Sequence, residues 1–147
     1  MPDTAYTVIK NFILAKLQAV TQLQQVTDNP ELNFNGYPAA IIIPAEGESD
    51  WETNMEDQRN YAFDVIIYEE TKKQGISTAI NTLMDTVDYV LDTFAQDKLL
   101  IGIQALLPAG HTFLTVNPVA AGWGDIPDKE VLAATVKLTC RLSIDNS

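Results

Sequence analysis

The chain is poor in the residues that most enzymes rely on. It has one cysteine, Cys140, and one histidine, His111, in 147 residues. A single cysteine excludes an intrachain disulfide and any CxxC metal or redox motif. A single histidine excludes HExxH and every other multi-histidine metal site. Positive charge is also scarce, with 9 Lys and Arg against 20 Asp and Glu and a net charge of −11. Each phosphate contact needs a cation, so this balance opposes nonspecific nucleic-acid binding and attachment to anionic membranes. Apolar runs extend only a few residues, too short to span a bilayer. Residues 1–6 place no basic segment before an apolar run, so no signal peptide is expected and the chain is expected to stay in the cytoplasm or in a particle assembled there.

What is present suits one ordinary globular domain over residues 1–147, with 46% hydrophobic and 20% charged residues. Asp3 or Thr4 can cap a first helix running to about Gln25. Its stripe is Ile9, Ile13, Leu17, Val20 and Gln24, flanked by Val8, Phe12, Ala15 and Ala19, a face broad enough for more than one surface. Asp28-Asn29-Pro30 is expected to end it. Tyr37 to Ile43 reads as a short strand apolar on both faces, limited by Pro38 and Pro44. Residues 46–58 hold six carboxylates and no cation. Within them 50–55 alternate as a strand, and Glu56-Asp57-Gln58 is expected to turn.

Arg59 to Tyr68 alternates again, with Tyr61, Phe63, Val65 and Ile67 on one side. Ser77 or Thr78 then opens a second helix whose apolar stripe is Ile76, Ile80, Leu83, Met84, Val87, Leu91 and Phe94, a one-sided helical period that must lie against a sheet. Leu106 to Gly110 reads as a turn, Thr112 to Val116 as a strand, and Asn117 to Lys129 as a loop. The final strand alternates cleanly, with Leu132, Ala134, Val136, Leu138, Cys140 and Leu142 facing inward. The order α-β-β-β-α-β-β, dominated by hairpins and without a βαβ series, gives an α+β fold: a mostly antiparallel sheet with two main helices packed on it.

Candidate chemistry is thin. A Cys140–His111 pair across neighbouring strands is conceivable, but an inward strand position is the ordinary place for a core cysteine. Asp85, Asp88 and Asp92 share one face of the second helix, where they could hold a hard cation or form a solvated acidic face. Gly122-Trp123-Gly124 is no phosphate cradle. Trp123 held between glycines is either an interface anchor or a rim residue closing the core. Asp64, mid-strand, needs a partner if buried, and Arg59, Lys137 or Arg141 can supply one. No catalytic residue, cofactor site or metal site is expected, so the chain reads as a non-enzyme.

Three segments, Tyr37 to Pro44 ("YPAAIIIP"), Arg59 to Glu70 ("RNYAFDVIIYEE") and Ala79 to Phe94 ("AINTLMDTVDYVLDTF"), together with the closing strand "AATVKLTCRLSI" and the element order, resemble the tail terminator (tail-completion) proteins of long-tailed bacteriophages. The resemblance covers most of residues 1–145 and implies a homo-oligomer, a hexameric ring on the head-proximal end of the tail tube. Such a ring stops tube polymerisation and presents a surface for the head–tail connector. The implied partners are the tail tube protein and the neck protein, in a virion assembled in the host cytoplasm. DNA would pass through without specific binding, and an acidic lumen would suit that passage by repelling phosphates. The candidate lumen residues are Glu46, Glu48, Asp50 and Glu52, or Asp85, Asp88 and Asp92. The candidate subunit or tube contacts are Trp51, Met55, Glu56, Asp57, Arg59 and Trp123. A neck, head–tail joining or minor tail-tube protein has the same size and acidity. A cytoplasmic small-molecule-binding or enzymatic α+β domain is the alternative from another class, and it would need converging polar groups in a pocket.

Overall fold

Thr4 begins the first helix as its sequence position suggests: its Oγ1 accepts from the Thr7 N–H at 3.3 Å, satisfying one of the free donors of the first turn. The computed structural model describes residues 4–28, 34, 36–45, 49–51, 56–72, 75–126 and 130–145, with the backbone alone at 49–51, 56, 57, 125, 126 and 145. Helix α1 spans Ala5–Gln18 and buries Ala5, Val8, Ile9, Ile13 and Leu17. It stops well short of the expected Gln25. Successive tight turns, Val20 N–H to Leu17 O and Leu23 N–H to Val20 O, keep Val20 and Leu23 in the core at a helix-like spacing of three. The chain then becomes strand β1, Gln25–Thr27, running parallel to Ala39–Ile41. Gln24, expected on the apolar stripe, is exposed. Asp28 does not end the helix but forms an ion pair with Lys10 at 3.1 Å.

Strand β2 is Ala39–Ala45, β3 Ser49–Trp51 and β4 Glu56–Glu70. Helix α2 is Ile76–Ala95, followed by a short 3-10 turn at Gln104–Leu106, β5 at His111–Ile126 and β6 at Val131–Asp145. The strand order is β1-β2-β4-β6-β5, with β3 also pairing β4. Every pairing except β1 with β2 is antiparallel. The α+β architecture and the order α-β-β-β-α-β-β therefore hold, with β1 added.

Three further boundaries differ from expectation. Residues 56–58 extend β4 instead of turning, because β6 alternates as far as Ile144 and offers them partners: Glu56 faces Asp145, Asp57 faces Ile144 and Gln58 faces Ser143. Residues 52–55, which link β3 to β4, lie outside the described residues. Residues 117–126 are strand and not loop, paired along β6 from Asn117–Thr139 to Ile126–Val131. Pro118 is tolerated there because β5 is the outer strand, and one side of it needs no N–H partner. Bulges between Phe113 and Thr115 and between Ala120 and Gly122 bend it and shift its parity. Finally, α2 is opened by Gly75 at φ 82°, not by a Ser77 or Thr78 cap.

Both helices lie on one face of the sheet. Ile9, Ile13 and Leu17 of α1 and Leu83, Val87, Val90 and Phe94 of α2 join one core with Phe63, Val65, Ile67, Val136, Leu138, Cys140 and Leu142. On the opposite face Ile41, Tyr68 and Val131 form a smaller cluster with Phe34, Tyr37 and Ile66 around it. No helix among the described residues is long and apolar enough to cross a membrane.

Candidate functional site

The register of β5 on β6 keeps the histidine and the cysteine apart. His111 faces Ile144 and Cys140 faces Val116, a separation of four residues or about 13 Å along the strand. Cys140 is fully buried, and burial pushes its thiol pKa up to about 12, since the thiolate has nothing to solvate it. The His111 Nδ1 lies 3.2 Å from the Ala109 carbonyl. These two groups form no nucleophile–base pair. Asp85, Asp88 and Asp92 are exposed on α2. Among the described residues no group of three or more His, Cys, Asp or Glu side chains could hold a metal ion. Asp64 is half-buried and lies directly across from Lys137, one of its three expected neighbours.

The feature that sequence periodicity does not announce is an uncovered apolar groove beside α2. Leu83, Val87 and Phe94 of the expected stripe are buried, but Ile80 and Met84 remain 41% and 44% exposed. The helix is rolled so that Ala79, Thr86 and Val90 also face the sheet. Ile80, Leu83 and Met84 form one wall, and Trp123, Gly124, Leu132 and Ala133 form the other, around about 400 Å³. Trp123, 56% exposed, stands over it from the outer strand. No lining side chain is ionisable. One turn beyond Met84, Asp88 gives the groove an acidic edge.

A second open cleft of about 480 Å³ lies between α1 and the 104–108 turn, lined by Val8, Asn11, Phe12, Ala15, Leu106, Leu107 and Pro108. Asn11 is its single polar side chain. Small-molecule sites combine apolar walls with several converging polar groups, and neither space offers that combination.

The remaining candidate contact residues fall elsewhere. Trp51 is paired through its backbone with Asp57, and Ser49 with Arg59, so the structure does bring this part of the set together. Trp123 faces Ala134, which faces Ile67. That lies ten residues along β4 from Asp57, about 33 Å in an extended strand. Trp123 and the Trp51–Arg59 group are therefore separate surfaces. Met55, Glu46, Glu48 and Glu52 lie outside the described residues, and Asp50, Glu56 and Asp57 are described by their backbone alone.

One further surface was not legible from pattern. Between α2 and β5, Leu99 and Ile101 project outward while Leu100 and Ile103 are buried. The Asp97 carboxylate anchors this loop: its Oδ2 accepts from Lys16 Nζ at 2.8 Å and its Oδ1 from the Ile101 N–H at 3.1 Å. The hydrogen bond from Lys16 holds the Asp97 pKa below the usual carboxylate value; the Ile101 N–H and the Lys16 charge lower it further, against desolvation.

No family model matches the chain, and no curated protein does. Among solved structures it is similar to a chain from the virion of a native gene transfer agent particle, with a TM-score of 0.58, 11% identity and 95% of each chain covered. At that identity the likeness is one of fold, carried from end to end of both chains.

Proposed function

We propose that this chain is a structural virion protein, and specifically a tail terminator: a hexameric ring that caps the head-proximal end of the tail tube, stops its polymerisation and presents a docking surface to the head–tail connector. The observation that carries this reading is the end-to-end likeness to a virion chain, which agrees with the family resemblance of the sequence. Two further features support it. The groups that could have formed a nucleophilic dyad are held apart, and a net charge of −11 suits a wall past which DNA slides without sticking. In this reading Trp51, Met55, Glu56, Asp57 and Arg59 contact the tube or a neighbouring subunit, and Trp123 marks another contact. One acidic set, Glu46–Glu52 or Asp85/Asp88/Asp92, lines the lumen.

The test is electron microscopy with light-scattering mass, on the purified protein and on purified tail tubes incubated with it. A closed ring with a central hole, alone or at tube ends, and arrest of tube elongation are expected. A protein that forms no ring and leaves tube ends free to grow would overturn the reading. A ring whose lumen holds neither acidic set would remove the conduit argument.

A further inference from the structure

Just past α2 lies the most exposed large apolar side chain among the described residues, Ile101 at 81%, with Leu99 two residues before it at 62%. They flank the buried Leu100, whose φ of 44° is a left-handed conformation that leucine seldom adopts. Gly102 follows at φ 99°, where an added Cβ would meet the Phe12 ring at 3.8 Å. The loop is held rigidly besides. Lys16 and the Ile101 N–H both bind the Asp97 carboxylate, the Ile103 N–H reaches Leu100 O at 2.9 Å, and the Val116 N–H reaches Lys98 O at 2.8 Å. Strain of this kind persists where surrounding contacts over-determine it, and it gathers at functional surfaces. An apolar pair fixed in advance loses little conformational freedom on docking.

The receiving shape is on the same chain. The groove of Ile80, Met84 and Trp123 lies beside the first half of α2, and the loop lies beyond its other end. The eleven residues from Met84 to Ala95 span about 16 Å. The charges match as well: Lys98, exposed and in no ion pair among the described residues, adjoins Leu99, while Asp88 edges the groove. Copies of a chain with net charge −11 repel one another, and a contact that brings Lys98 to Asp88 offsets part of that repulsion.

We propose that the Lys98–Ile101 loop of one copy seats in the Ile80–Met84–Trp123 groove of a second copy, with Lys98 against Asp88. Knob and groove are different patches, so the contact is head-to-tail. Such contacts propagate until they close a ring or run on as a filament. The inference deepens the ring reading and rests on it for closure alone.

Three variants test it, each at an exposed position and each checked for folding by circular dichroism: Ile101→Asp and Leu99→Glu in the knob, Met84→Glu in the groove. Sedimentation velocity is run over a concentration series. Wild type is expected to assemble, and each variant alone to remain monomeric at concentrations where wild type does not. An equimolar mixture of Ile101→Asp and Met84→Glu is expected to give a 1:1 dimer and nothing larger, because one copy keeps its groove and the other its knob. Variants that assemble like wild type, a mixture that stays monomeric, or a wild type that stays monomeric at millimolar concentration would each overturn the contact. Rings that persist in the variants overturn the contact but leave the ring reading standing. Failure of wild type to form rings even on tube ends overturns the ring reading, and head-to-tail filaments in solution would still support the contact.

Discussion

Replacing Asp97 by Asn takes the charge from one side of a short ion pair and keeps its shape. The Asp97 and Lys16 side chains are 21% and 24% exposed, and the amide oxygen of the new side chain can still accept from the Ile101 N–H. Exposed ion pairs contribute about 0.2–1 kcal/mol, and hydrogen bonds to charged groups about 1.5–3 kcal/mol. A pair three-quarters buried falls between these, so the expected loss is about 1–2 kcal/mol. For a chain of this length that lowers the melting temperature by about 2–8 °C.

The pH dependence has a definite sign. The folded-state pKa of Asp97 lies below its ordinary value of 3.8, so the stabilisation is fully present above that value and is lost as pH falls through the folded one. The other carboxylates titrate alike in both proteins. The difference between wild type and Asp97→Asn should therefore be constant from pH 7 to about pH 5 and should close in stronger acid. Paired thermal melts across this range read it directly. No gap at neutral pH, or a gap unchanged in strong acid, would refute the assignment of the effect to the ion pair.

Three other outcomes follow from packing and backbone geometry. Phe94→Ala, at a wholly buried position where α2 meets the sheet, should cost about 3–5 kcal/mol in urea unfolding. Cys140, buried and with its pKa pushed up to about 12, should be inert to a thiol reagent at pH 8 until the protein unfolds; rapid labelling of the native chain would contradict its place in the core. Gly75→Ala should cost about 1–3 kcal/mol by thermal melting, because φ 82° with ψ 162° is a conformation open essentially to glycine alone. An added Cβ there meets nothing within 4 Å, so the whole cost belongs to the backbone at φ 82°.

The parts of the fold legible in the sequence are those whose period survives intact. In β6 and β4 alternation runs through the strand and the two pair with each other without a break, so the inward residues from Tyr61 to Ile67 and from Ala134 to Leu142 could be read directly. β5 could be read only in part. Its bulge after Phe113 puts Phe113 and Val116 both in the core, a spacing of three that belongs to no strand, and its glycines and proline look like loop. The end of α1 deceived in the opposite sense, since Leu17, Val20 and Leu23 keep a spacing of three through turns that are no longer helix. The α2 stripe could be read, but which flank would stay open could not, because that depends on where Trp123 of β5 comes to lie. The Leu99–Ile101 surface has no period at all. Its one local signal was an apolar run interrupted by Gly102, and its shape comes from the bond to Asp97 and the backbone bonds around Leu100 and Lys98.

The two bulges and Pro118 of β5 also govern what this protein avoids. A sixteen-residue outer strand would, if flat and regular, be a template on which other chains could add strand after strand. Here the ladder is broken twice, and a missing N–H interrupts it once more. Backbone templating is thereby discouraged along the longer margin of the sheet. Association is left to side-chain surfaces, which can be matched to a fixed number of partners. Removing the second bulge and restoring the missing N–H, by deleting Ala121 and replacing Pro118 with valine, should promote aggregation by strand addition, read as turbidity and thioflavin binding.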